Sequence, residues 1–158
     1  MPVAAYEFLT TWCIDAPIEH AFDVLNDAAG YPRWWKAVLS VEVLQRGDEL
    51  GIGEVDHFTW RSVLPYALSF DMRVTRVKRP HLIEGRASGE LEGVGSWRLY
   101  EGDGVAIVYD WRVRTTKRWM NVLGPLARPA FSWNHDIVMR QGANGLAAEL
   151  GTRLLVSN

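Results

Sequence analysis

The stretch from Arg118 to Leu150 constrains the fold most, because it reads as helix while nearly everything before it reads as short strands. Pro125 and Pro129 each lack a backbone donor and disfavour helix at the residue before them. The sequence therefore predicts a short helix from Arg118 to near Gly124 and a longer one from Pro129 to Leu150. Gly151 stands where a C-terminal cap belongs. The longer helix would reach roughly 33 Å, enough to cross a sheet. Its apolar stripe is Phe131, Val138, Gly142, Leu146 and Leu150, with Asn134 and His135 on the stripe or at its margin. Gly142 and Gly145 each cost about 1 kcal/mol against alanine in a helix interior, so something needs the room they leave. Either a strand comes close there, or a cavity lies between helix and sheet.

The chain before this helix is punctuated for a meander. Ala5 to Ile14 suits a first strand, and Asp15-Ala16-Pro17-Ile18-Glu19 stops it and starts a helix, with Asp15 or Ala16 near the cap and Pro17 in the first turn. That helix carries Ile18, Ala21, Phe22 and Leu25 on one face, and Arg33-Trp34-Trp35-Lys36 ends a second short helix. Strands follow over 37–44 and 55–63 around a glycine-rich turn. Tyr66 to Val77 sets Leu68, Phe70, Met72 and Val74 against Ser69, Asp71, Arg73 and Thr75. Beyond the turn at Pro80, His81 to Ala87 is a weaker strand. Glu90 to Tyr100 places Leu91, Trp97 and Leu99 on one face with Gly93 and Gly95, the mark of a bulge or of open space. Val105 to Thr115 turns Tyr109 and Trp111 one way, and Asp110, Arg112 and Arg114 the other. The expectation is one α+β domain: about seven antiparallel strands, two short helices after the first, and the long helix last.

With 158 residues, 48% hydrophobic and 23% charged, the chain has the apolar material for one substantial core. A net charge of -2 gives no reason to expect nucleic acid or an anionic membrane surface. No apolar run approaches the ~20 residues of a membrane span, and no basic leader opens the chain, so no stable membrane insertion is expected. Cys13, expected as a small buried strand residue, has no second cysteine to pair with, so a reducing cytoplasm fits. The unusual feature is eight tryptophans beside five tyrosines and five phenylalanines, more wide, flat side chain than a core this size requires and compatible with a ligand pocket.

Asp15-Ala16-Pro17-Ile18-Glu19 with Ala21-Phe22, then Tyr31-Pro32 and Trp34-Trp35, resembles the opening of the START-like, or SRPBCC, superfamily. Gly89-Glu90-Leu91-Glu92-Gly93 with Trp97, Tyr109-Asp110-Trp111, and Trp133-Asn134-His135 running on to Gly145-Leu146 resemble a bacterial subgroup of polyketide cyclase/dehydrase type. The likeness covers nearly the whole chain. It implies a helix-grip fold, a curved antiparallel sheet wrapped around the C-terminal helix, with an apolar cavity between them for a lipid, polyketide, sterol-like or aromatic molecule.

No GxSxG elbow, HExxH pair, CxxC, Walker loop or dinucleotide fingerprint is present in a fitting context, and no metal or cofactor is called for. The polar groups able to face an apolar pocket are His57, Tyr66, Tyr109, Asn134 and His135. His57 and its neighbour Asp56 face opposite sides of a strand, so they form no dyad, and His57 belongs at the rim or surface. His135 reads first as a structural histidine held by protein partners, and second as a general acid or base. Asn134 would hold either a ligand carbonyl or a buried backbone group. Trp60, Phe70, Met72, Trp97, Tyr109, Trp111 and Val138 read as core, and as pocket lining if a cavity exists, with Trp34 and Trp35 as its lid. Asp110 is expected to pair with Arg98 and Arg112 on the outer face. The function these residues suggest is binding or carriage of a hydrophobic small molecule by a monomer or homodimer. The alternative is a polyketide cyclase, dehydratase or aromatase using His135 and a tyrosine; a regulatory domain with a vestigial pocket is a third class.

Overall fold

Period-two burial organises the strands and aims their large side chains at one helical layer made of the two short helices and the long C-terminal one. The computed structural model describes residues 5–61, 63–122 and 124–157. In chain order the elements are β1 (Ala5–Ile14), α1 (Ile18–Asn26), α2 (Tyr31–Trp34), β2 (Val38–Gln45), β3 (Val55–Trp60), β4 (Leu68–Lys78) and β5 (Leu82–Gly89). They continue with β6 (Leu91–Gly102), β7 (Gly104–Thr115), α3 (Arg118–Val122), α4 (Gly124–Glu149) and β8 (Leu154–Ser157). A single turn of tighter helix at Ala28–Gly30 joins α1 to α2. One antiparallel sheet runs in the order β2-β3-β4-β5-β6-β7-β1-β8 and curves around α4, the helix-grip arrangement expected from the sequence.

Three details differ from the sequence expectation. β8 adds a short strand beside β1, and four residues are too few for alternation to announce a strand. α4 begins at Gly124 rather than Pro129. Pro125 falls in the first turn, where no donor is needed, and Pro129 is accommodated inside the helix at the loss of the bond to the carbonyl of residue 125. At the start of α1, Pro17 itself occupies the cap position in extended conformation, with no side-chain cap. The far end of α4 is as expected: Gly151 adopts φ 64° and closes the helix with a left-handed cap.

α2 is laid directly on α4, and the two helix glycines explain how. A Cβ on Gly145 would stand 1.8 Å from the carbonyl oxygen of Trp34. One on Gly142 would stand 2.6 Å from Cε2 and 2.8 Å from Nε1 of Trp35. The space these glycines leave is thus filled by the tryptophan segment and is not the cavity. In that space the Trp35 indole N–H donates to the Val138 carbonyl at 2.8 Å. At the other end of α2, the buried Tyr31 hydroxyl donates to the Leu25 carbonyl and ties α1 to the same layer.

Gly→Ala in a helix interior gains about 1 kcal/mol of propensity, whereas overpacking a filled core costs about 1–3 kcal/mol. At 1.8 Å from a backbone oxygen the second effect wins. Gly145→Ala is therefore expected to lower the urea midpoint; an unchanged or raised midpoint would contradict this packing.

Candidate functional site

β3 turns Asp56, Phe58 and Trp60 inward, β4 turns Phe70, and β6 and β7 add Trp97, Tyr109 and Trp111. These side chains meet the short helices in a closed circuit of ring contacts. Tyr31 touches Phe58 (centroids 6.2 Å apart), Phe58 stacks on Phe70 (5.7 Å), and Phe70 meets Trp111 (5.9 Å). Trp111 stacks on Tyr109 (5.8 Å), Tyr109 meets Trp97 (4.1 Å), and Trp35 closes the circuit against Trp97 (6.1 Å) and Tyr31 (5.8 Å). Trp60 lies edge-on to Trp35 at 4.9 Å.

Two hollows adjoin this circuit. The inner one, about 70 Å³, lies under α1 and α2 and is lined in part by Leu25, Tyr31, Trp35, Asp56, Phe58 and Trp97. The outer one, about 50 Å³, lies against α4 and includes Arg61, Tyr66, Phe131, Asn134, His135 and Val138. Trp60, Phe70, Tyr109 and Trp111 line both and form the wall between them. Each hollow has room for a few water molecules, against the roughly 300–1,000 Å³ of ordinary ligand pockets. A larger guest must therefore displace part of the wall.

Of the eight buried side-chain polar atoms without a hydrogen-bond partner among the described residues, four border the hollows: Asp56 Oδ1 the inner one, Asn134 Oδ1 and His135 Nε2 the outer one, and Trp60 Nε1 on a residue that lines both; those of Tyr6, Trp12, Trp34 and Gln141 lie elsewhere. A buried unpaired polar group costs about 1–3 kcal/mol, so each hollow offers such atoms to a guest or to water. The His135 ring stacks on Phe8 at 3.8 Å, 11° from parallel, and burial pushes its pKa down to about 4. The imidazole is therefore neutral at neutral pH. In the inner hollow, burial first and then the hydrogen-bonded Glu54 carboxyl push the Asp56 carboxyl up to about 8. Burial also raises the Tyr31, Tyr66 and Tyr109 hydroxyls, which stay protonated.

Of the residues the sequence proposed as lining, Trp35, Trp60, Tyr66, Phe70, Met72, Trp97, Tyr109, Trp111, Asn134, His135 and Val138 border one hollow or both. Trp34 borders neither; it is buried between α2 and α4, stacked on Trp35 at 5.5 Å. Trp35, 1% exposed and hydrogen-bonded to α4, is a fixed wall rather than a lid. His57 lies outside, with Nδ1 2.6 Å from Asp71 Oδ1 across the strand pair. Asp110 pairs with Arg112 on its own strand at 3.1 Å, because the residue across from it on β6 is Ser96 and not Arg98. Cys13 is half-buried on the outward side of β1. Sequence reasoning missed Asp56, Glu54, Phe58 and Tyr31. The available signal was the period-two set Asp56, Phe58, Trp60, which puts an acid on the inward face of a strand. Among the described residues no group of three or more His, Cys, Asp or Glu side chains is placed to hold a metal, and no helix is long and apolar enough to cross a membrane.

The sequence profile described as "Polyketide cyclase / dehydrase and lipid transport" matches residues 7–151. The chain belongs to this family. Among solved structures it is similar to the Zhui aromatase/cyclase of a Streptomyces strain, with 18% identity over 95% of this chain and 94% of that one, at a TM-score of 0.70. The di-domain aromatase/cyclase BexL has 18% identity and a TM-score of 0.74, but 95% of this chain spans only 51% of BexL. The major latex-like protein 151 of Panax ginseng has 9% identity over 89% of this chain and 96% of its own, at a TM-score of 0.62. At such identities the likeness establishes the helix-grip fold of the polyketide cyclase/dehydrase and lipid transport family. No curated protein sequence matches this one significantly.

The two shifted groups give opposite pH dependences. His135, with a folded pKa of about 4 below its ordinary 6.5, contributes stability that is present above pH 6.5 and lost as pH falls towards 4. Asp56, with a folded pKa of about 8 above its ordinary 3.8, contributes stability that is full below 3.8 and lost as pH rises towards 8. Each slope is worth at most about 1.4 kcal/mol per pH unit. Against wild type, His135→Gln should flatten the acid limb of a urea-midpoint profile and Asp56→Asn the limb between pH 5 and 8. Parallel profiles would contradict both assignments.

Proposed function

We propose that this chain binds or carries a hydrophobic small molecule, a lipid, polyketide or aromatic compound, inside a single ligand-binding domain. The observation that carries the reading is the pair of apolar hollows sharing one aromatic wall, with unsatisfied polar atoms at both. A core selected only for stability would fill such space and pair such atoms. Displacing the wall side chains that both hollows share would join them into one site between sheet and α4. The ligand would be held by aromatic surface, with the Trp60 N–H, Asn134 Oδ1 and His135 Nε2 fixing its orientation. The family description and the aromatase/cyclase neighbours support the same class of guest. No cofactor enters this reading, and a reducing cytoplasm suits a chain with one unpaired cysteine.

The enzymatic alternative, a cyclase, dehydratase or aromatase, is favoured by one observation: the unpartnered Nε2 of His135 borders the same hollow as Tyr66. A neutral imidazole could accept a proton from carbon beside a carbonyl. With a pKa of about 4 it is a weak base at neutral pH, which argues for binding over turnover.

Pyrene, larger than either hollow, should quench tryptophan emission saturably, and Val138→Trp, which fills the outer hollow, should weaken it at least tenfold. A linear, non-saturating response would reject the ligand-binding reading. In parallel, a poly-β-keto substrate should show no turnover that depends on His135. A fall of roughly 10²-fold or more in His135→Gln, with pyrene affinity unchanged, would establish the enzyme instead.

A further inference from the structure

The inner hollow has a chemistry that apolar-ligand binding does not require. Eight aromatic residues line it, together with the acids Glu54, Asp56 and Glu84, and among the described residues no lysine, arginine or histidine does. Asp56 is 1% exposed, sits on the inward face of β3 opposite Met72 of β4, lines the hollow together with Tyr31 and Phe58, and leaves Oδ1 without a partner among the described residues. Glu54, two residues earlier on the same side of the chain, lines the same hollow and raises the Asp56 pKa. The pair thus presents a free acceptor oxygen and negative charge to a circuit of aromatic faces.

Each class of guest meets this arrangement differently. A hydrocarbon leaves Asp56 Oδ1 unpaired and the charge of the carboxyl pair uncompensated. An alcohol satisfies the oxygen but not the charge. An anion is repelled by the negative charge of the carboxyl pair. A protonated amine satisfies every feature at once: an N–H donates to Asp56 Oδ1, the positive charge offsets the carboxyl pair, and the electron-rich faces of Trp35, Trp60, Trp97 and Tyr31 surround it. From these residues we infer that the inner hollow is a cage for the protonated amino group of an otherwise apolar ligand, anchored by Asp56 and Glu54. This rests on the reading of the two hollows as a ligand site and names the polar end of the guest. The apolar remainder would extend past Trp60 and Phe70 towards His135 and Asn134. Burial first, and then Glu54, raise the Asp56 pKa, and a cation beside the carboxyl would offset both.

Three probes of nearly one shape separate the possibilities: benzylammonium, benzyl alcohol and ethylbenzene, titrated near neutral pH against tryptophan emission. Benzylammonium should bind at least tenfold more tightly than either neutral probe. Asp56→Asn should remove that preference while leaving ethylbenzene affinity within about twofold. Should Asp56→Asn fail to fold, Glu54→Gln serves the same purpose, and the order of the three probes on the wild type stands without any variant. A neutral probe that equals or exceeds benzylammonium, or a preference that survives the substitutions, overturns the cage. If ethylbenzene binds and benzylammonium does not, the cage falls and the apolar site stands. If none of the three binds to the folded protein, both fall.

Discussion

The hydrogen bond from the Trp35 indole to the Val138 carbonyl joins the two halves of the site. It fixes α2 on α4 at the point where Gly142 leaves α4 without a side chain, and it holds Trp35 as the segment of the aromatic circuit between Tyr31 and Trp97. Without it the circuit would be open on its helical side, and the inner hollow would lose the wall that separates it from α4. A buried indole N–H that loses its acceptor costs about 1–3 kcal/mol. The larger consequence would be geometric: the contacts of Trp35 with Trp12, Trp60 and Trp97 all depend on the ring's position.

Around this fixed point the interior divides into a rigid part and an adaptable part. Trp12, Trp35, Ile18, Phe22 and Leu146 are almost wholly buried and belong to one continuous core. Trp60, Leu68, Met72 and Tyr66 are only partly buried and face hollows too small for a guest larger than a few waters. A side chain next to empty space forfeits dispersion contacts on that side, so its alternative rotamers are closer in energy than those of a packed residue. The same hollows therefore lower the barrier to their own enlargement. Enlargement would bring the unpaired polar atoms of Asp56, Trp60, Asn134 and His135 within reach of a guest or of water.

The architecture was legible in the sequence because alternation over ten or more residues in β1, β4, β6 and β7 is hard to mistake, and because Gly151 marked the end of α4. The start of α4 was not, since Pro125 and Pro129 both look like breaks, although Pro125 falls in the first turn where it costs little and Pro129 is accommodated inside the helix. The lining aromatics could be named from strand parity alone. Parity separated Asp56 from His57 without making it a site residue: what makes it unusual is an Oδ1 without a partner among the described residues, a property of the assembled interior. Gly142 and Gly145 illustrate the same limit. Their sequence signal was that something needs room, and only the packing shows that the occupants are Trp35 and the backbone of Trp34 rather than a ligand.

The most direct measurement is an experimental structure of the protein with pyrene bound at saturation. The expected result is pyrene between the sheet and α4, with Trp60 and Phe70 displaced so that the inner and outer hollows form one chamber, and with the Trp35 to Val138 hydrogen bond intact. Pyrene on the outer surface, with Trp60, Phe70, Tyr109 and Trp111 unmoved and the hollows still separate, would contradict it.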